Sequence, residues 1–193
     1  MLDDSALDLL FRKARSHNGW QDKQVSDVQL KQIYELMKWG PTSANSCPIR
    51  LVFVKSDMAK QRLKRSLQEG NVKKSMTAPV VVIFGMDMEF YEEFDFLFPH
   101  ADAKSWYVGN KEKIKEAAFR DSSLQAAYFM LAARSIGLDC GPMSGFNNEV
   151  LDAEFFPDGK IKSNFICALG YGDTSKLHPR LARLDYERVC QLV

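Results

Sequence analysis

The residues that could do chemistry in this chain are few and scattered. Its three histidines, His17, His100 and His178, lie far apart, and no H-x-x-x-H pair or carboxylate cluster has the spacing of a metal site. The four cysteines, Cys47, Cys140, Cys167 and Cys190, form no C-x-x-C pair and read as reduced thiols of a cytoplasmic protein. There is no G-x-S-x-G elbow. No G-x-G-x-x-G turn follows a strand, which sets aside a Rossmann nucleotide site. Cys47, in Asn45-Ser46-Cys47-Pro48, is the one candidate nucleophile, and a lone Cys is more often a small packed hydrophobe. The segment that stands out is Pro41-Thr42-Ser43-Ala44-Asn45-Ser46, where hydroxyl and amide side chains gather between a helix and a strand. Such a loop can hydrogen-bond a flat polar ligand. It can equally be a turn whose side chains bond their own backbone.

The elements that must position this loop follow from periodicity. Leu7, Leu10, Phe11 and Ala14 recur at helical spacing, and His17-Asn18-Gly19 ends that helix. Ser26-Asp27-Val28-Gln29 reads as a capping box that opens a second helix, closed by Gly40-Pro41. Ile49 to Lys55, Pro79 to Phe84 and Phe165 to Leu169 read as strands. Asp57 caps a helix expected to reach Glu69, with Gly70 beyond its end. Residues 88–110 hold a dense aromatic cluster without a clear period. Lys111 to Ile136 is a long helix whose second half is so apolar that it must be buried in a core or against a second subunit. Asn147 caps a short helix, and Asp185 opens another. Helices segregated around few strands imply an α+β fold.

Composition bounds the rest. The 193 residues, 46% hydrophobic and 26% charged, suit one domain spanning 1–193 with a real core. Lys and Arg number 26 against 25 Asp and Glu, so no global charge draws the chain to nucleic acid or to an anionic membrane. The acidic start, Met1-Leu2-Asp3-Asp4-Ser5, lacks the basic flank of a leader, and no apolar run reaches the ~18 residues of a membrane span.

The polar loop resembles the P-[ST]-S-x-N segment of the nitroreductase family, here Pro41-Thr42-Ser43-Ala44-Asn45. Other landmarks of that family follow in order along nearly the whole chain. Arg15-Ser16-His17-Asn18-Gly19-Trp20 resembles its R-x-S segment, with Ala14 at the family's first Arg and Asn18 at its third basic position. Asn71-Val72-Lys73-Lys74 resembles N-x-x-K, and Gly141 to Phe146 resembles P-x-x-G-F. Leu169-Gly170-Tyr171-Gly172 is similar to the G-Y-G turn, and Arg180 with Arg183 to the basic C-terminal segment.

The resemblance implies a central, mainly antiparallel sheet flanked by helices, in an intertwined homodimer with FMN at the subunit interface. NADH or NADPH would deliver hydride to the flavin and make way for a small-molecule acceptor, so no side-chain nucleophile is required. Arg15, Ser16 and Asn18 would contact the phosphate, ribityl chain and flavin edge. Asn71 and Lys74 would reach the pyrimidine ring, where the Lys74 charge favours the reduced, anionic form. Pro41, Thr42, Ser43 and Asn45 would come from the partner subunit. Ser144 and Gly145 would offer backbone N–H groups, and Arg180 or Arg183 would neutralise the phosphate. Cys47 stands where many relatives have Gln. Within the family, His17 to Trp20, Met37 to Asn45, Leu97 to His100 and Gly141 to Phe146 resemble most the branch that reduces malonic semialdehyde to 3-hydroxypropionate in pyrimidine degradation. For such an aldehyde, His100, Lys104 and Arg120 are the candidate carboxylate ligands, on and beside a stretch where relatives place a variable lid.

Overall fold

The computed structural model describes residues 1–193. Its centre is a four-stranded, wholly antiparallel sheet of β1 (Ile49–Val54), β2 (Val80–Asp87), β3 (Asp139–Met143) and β4 (Ile161–Gly170), in the order β1-β2-β4-β3. The continuous apolar run Val80 to Phe84 is fully buried, as a central strand covered on both faces requires. One face carries helices α2 (Asp27–Met37) and α6 (Lys111–Ser135), with Ile33, Met37, Phe84, Phe129 and Leu138 at the centre of their packing. The other carries α3 (Asp57–Lys64), α4 (Glu69–Thr77) and α7 (Asn148–Phe155), packed through Leu63, Ile83, Leu151 and Ile166. Short helices α1 (Asp4–Leu7), α5 (Phe94–Leu97) and α8 (Tyr186–Val189) complete the chain. The α+β, mainly antiparallel expectation holds.

Local expectations are corrected at three places along the chain. β3 was not foreseen: with Gly141 and Pro142 inside it, it has poor strand propensity, and it forms because Pro142 lies on an edge strand. The single helix expected over 57–69 is two. The backbone breaks so that Asn147 N–H can donate to the Ser66 carbonyl at 2.8 Å and Gln68 N–H to the Gly145 carbonyl at 3.1 Å. Gly70 therefore lies inside the first turn of α4 rather than beyond a helix end, and Ser56, not Asp57, caps α3. The first helix leaves α geometry after Leu7 and runs through a wider turn, Asp8–Arg12. The aromatic stretch 88–110 packs as its own small core, with Phe90, Phe94 and Tyr107 against Ile114, Ala117 and Ala118 of α6.

Candidate functional site

The polar loop is built by α6. Asp121, fully buried, accepts hydrogen bonds from the Ser43 N–H (3.2 Å), the Ser43 hydroxyl (3.3 Å) and the Ser46 hydroxyl (2.8 Å). Thr42 Oγ1 accepts from Cys47 N–H at 3.2 Å, and Asn45 Nδ2 donates to the Leu97 carbonyl at 2.9 Å. Ala44, Asn45 and Cys47 hold positive φ, at 50°, 52° and 43°, a conformation that Asn tolerates and Ala and Cys adopt only under constraint. Pro41 and Ser43 stay exposed on this pinned loop, just before β1.

A second group forms on the opposite edge of the sheet. The chain after α1 runs beside β3, with Ser16 bridging Cys140 and His17 N–H donating to the Cys140 carbonyl at 3.0 Å. Arg15, Ser16, Asn18, Arg180 and Arg183 line one cavity of about 860 Å³, joined by Arg134 from the last turn of α6 and by His178. The guanidiniums bond only to backbone carbonyls: Arg15 to His178, Arg134 to Leu10 (3.3 Å), Arg180 to Ala14 (3.0 Å), and Arg183 to Leu181 and Ala182. None is paired with a carboxylate, so four uncompensated cations surround one space, the donor set that takes a phosphate. Sequence reading missed Arg134. A basic residue in a final helical turn ordinarily serves the helix dipole, and only the fold brings it to residues 178–183.

The same edge continues to α4. Trp20 Nε1 donates to the Lys74 carbonyl at 2.9 Å, tying the Arg15–Trp20 segment to that helix. Asn71 Nδ2 donates to the Gly145 carbonyl at 2.8 Å. A Cβ on Gly145 would stand 2.4 Å from that Nδ2, so only glycine allows the contact. Ser144 is exposed next to it. Lys74 is half-buried, and its ammonium has neither an ion-pair nor a hydrogen-bond partner within the chain. Burial pushes its pKa below the ordinary lysine range, and a weaker interaction with Cys167 acts the other way.

The site residues therefore fall into two half-sites. Arg15, Ser16, Asn18, Arg180 and Arg183 line the cradle at the β3 edge, Ser144 and Gly145 directly follow β3, and Asn71 and Lys74 lie on α4, which Trp20 ties to the same segment, whereas Pro41, Thr42, Ser43 and Asn45 sit at the β1 edge. Three strand spacings, about 14 Å, separate those edges. Asp121 under the loop and Arg134 in the cradle are about 20 Å apart along α6. Of the candidate carboxylate ligands, Lys104 is ion-paired with Glu92 and Arg120 with Glu116, while Arg50 pairs with Asp87 at 2.6 Å. His100 is exposed, pairs with no carboxylate, and lies with its ring centre 4.0 Å from that of Phe98.

A family model described as the nitroreductase family matches residues 11–171. The chain belongs to the nitroreductase family. It is 56% identical over 191 residues, 99% of this chain and 98% of the other, to a Burkholderia lata protein named NADH dehydrogenase/NAD(P)H nitroreductase. A Polynucleobacter asymbioticus protein of the same name is 53% identical over 193 residues, covering 100% of this chain and 98% of its own. Among solved structures, a nitroreductase from Exiguobacterium sibiricum in complex with FMN superimposes with a TM-score of 0.86 at 18% identity, covering 100% of this chain and 99% of that one. This nitroreductase-family chain has no helix long and apolar enough to cross a membrane.

Proposed function

We propose that the chain is an FMN-dependent NAD(P)H oxidoreductase, active as a homodimer whose cofactor sites each draw on both protomers. The observation that carries this reading is the cavity lined by four unpaired guanidiniums, with the unpaired, half-buried Lys74 on the helix that Trp20 ties to the same segment. A ligand with a phosphate at one end and an electron-accepting ring at the other satisfies both. FMN supplies the hydride transfer, with NADH or NADPH as donor. The chain's own contribution is to bind and orient. Arg15, Arg134, Arg180 and Arg183 would neutralise the phosphate, with Ser16 and Asn18 beside them in the same cavity. Asn71 and the Gly145 backbone fix the ring edge. The Lys74 ammonium faces the pyrimidine side, where its charge favours electron acceptance.

The homodimer is supported by surfaces that a lone chain leaves uncovered. Phe119, Leu124 and Tyr128 are exposed apolar side chains of α6, and Leu181, Leu184, Tyr186 and Val189 are exposed along the tail. A second copy covers both, and brings its Pro41–Asn45 loop to a cradle that a chain's own loop does not reach. For the acceptor we propose a small carboxylated aldehyde, malonic semialdehyde reduced to 3-hydroxypropionate, with His100 the candidate ligand left free to hold the acid. The ion pairs of Lys104 and Arg120 favour a second reading, broad reduction of quinones and nitroaromatics.

Titration of the cofactor-free protein with FMN, followed by flavin fluorescence quenching, tests the reading. Saturation at one FMN per chain is expected, and saturation well below that would sink it. The same titration has a pH signature. Because burial depresses the Lys74 pKa in the free protein, the ammonium is lost as pH rises through a value below the ordinary lysine range. Affinity should therefore be full below that value and fall on its alkaline side, sooner than an ordinary lysine would dictate. Lys74→Ala should lose about tenfold or more in affinity or flavin-reduction rate and lack that alkaline limb, since a charge-assisted contact is worth roughly 1.5–3 kcal/mol. Identical pH profiles for the two proteins would remove Lys74 from the site.

A further inference from the structure

His17 is flanked by two residues assigned to the cradle yet faces the other way. Ser16 and Asn18 line the anion cavity, while the His17 imidazole is only 4% exposed. Its Nε2 lies 3.3 Å from Asp139 Oδ1, and the other Asp139 oxygen accepts from Gly172 N–H at 2.9 Å. Burial alone would raise the Asp139 pKa, but the His17 contact and the Gly172 amide outweigh it and leave the carboxyl below its ordinary range. The ring is wedged against the turn after β4, where a Cβ on Gly172 would stand 2.0 Å from His17 Nδ1. A Cβ on Gly141 would likewise stand 2.5 Å from the His17 carbonyl oxygen. Two glycines thus make room for this one residue. Nδ1 is the chain's one buried side-chain nitrogen or oxygen without a hydrogen-bond partner. That leaves an unused acceptor if the proton sits on Nε2 facing Asp139, the arrangement that costs least.

The local geometry explains what the wedge achieves. Ser16 bridges Cys140 and Asn18 sits at a bend, so with the intervening His17 fixed inward both neighbours are left facing the cavity. The adjoining bonds, Gln21 N–H to the Tyr171 carbonyl at 2.8 Å and Asp173 N–H to the Gly19 carbonyl at 3.0 Å, close only the later part of the segment. At the cavity itself the inward anchor is His17.

We propose that His17, through its contact with Asp139 and its seat against Gly172, is a positioning residue that presents Ser16 and Asn18 to the phosphate-bearing end of the cofactor. The proposal rests on the FMN reading of the cradle. It makes no contact between His17 and the cofactor, so its signature is selective: the phosphate end should suffer and the ring end should not.

The test compares FMN with riboflavin, which lacks the phosphate, by fluorescence titration of wild type, His17→Leu, His17→Gln and Asp139→Ala, each checked for fold by circular dichroism and melting. His17→Leu keeps the bulk and loses the polar contact. It should weaken FMN binding about tenfold while riboflavin affinity changes less than about threefold, the scale of one lost hydrogen-bonded anchor. His17→Gln, which returns a donor toward Asp139, should recover most of the loss. Asp139→Ala should match His17→Leu, and the double variant should be no worse than the worse single one, because both remove the same anchor. A folded His17→Leu that binds FMN as wild type does, or loses FMN and riboflavin equally, overturns the proposal. Should His17→Leu fail to fold, the same comparison on Asp139→Ala decides. Wild-type protein that takes up no FMN overturns the cofactor reading itself, a result visible before any variant is made.

Discussion

Two inactive variants of this protein should make a half-active dimer when combined. One variant is disabled in the cradle by Arg15→Glu and Arg180→Glu, which reverse charge at the phosphate end. The other is disabled in the loop by Ser43→Trp, which puts bulk on an exposed position of the segment pinned by Asp121. Each homodimer carries its lesion in both sites and should hold almost no FMN. In a mixed dimer purified through two different tags, one site combines both lesions. The other combines the intact cradle of one protomer with the intact loop of its partner. Two-fold symmetry then predicts about one FMN per dimer and about half the wild-type turnover. If cradle and loop of one chain served the same site, every site in the mixed dimer would carry one lesion and the activity would stay near zero. The expectation rests on the separation of the loop at the β1 edge from the cradle at the β3 edge. A mixed dimer without flavin would contradict it.

What could be read from residue order alone tracks how local each determinant is. The Ser26–Gln29 capping box closes as expected, with Gln29 N–H donating to Ser26 Oγ at 3.2 Å and Ser26 N–H to Gln29 Oε1 at 3.1 Å, because both partners sit within one turn. Asn147 caps α7 for the same reason. β3 and the break between α3 and α4 were not legible. Each is decided by pairing with distant chain, β3 with β4 and residues 66–68 with 145–147. The site divides in the same way. The loop and the Arg, Lys and Asn positions of the cradle carry recognisable spacing. The residues that hold them, Asp121 under the loop, Arg134 in the anion cavity and Gln68 against Gly145, have no spacing of their own. Asp121 carries the one sequence signal among them, a carboxylate on a helix with a largely apolar buried face, since such a group needs several donors. Cys47 belongs with these supports: its Sγ lies 3.4 Å from Asn45 Oδ1 in a strained turn, next to the loop's own backbone.

The acceptor should be discriminated by its carboxylate. A three-carbon aldehyde has little apolar area to bury, so the affinity that orients it must come from its charge. Asn45 Nδ2 donates to the Leu97 carbonyl, which ties the stretch carrying Phe98 and His100 to the loop proposed to enter a partner's cradle. Phe98 packs against both Trp106 and His100 there, and His100 has no carboxylate beside it, Lys104 being held by Glu92. The Arg120 guanidinium is engaged by Glu116 on its own helix. Malonic semialdehyde should therefore exceed uncharged propanal by at least about 100-fold in kcat/KM, the loss expected when a desolvated charge contact worth about 3 kcal/mol is removed. His100→Ala should erase most of that ratio by lowering the rate on the charged aldehyde alone. Lys104→Ala and Arg120→Ala should leave it within about threefold, because each breaks an exposed surface pair. Steady-state kinetics on the two aldehydes, with a quinone and a nitroaromatic as references, decide the matter. Equal rates on both aldehydes alongside fast turnover of the aromatic acceptors would mean that the open, unpaired surface around His100 holds no acid, and the broad-specificity reading would take its place.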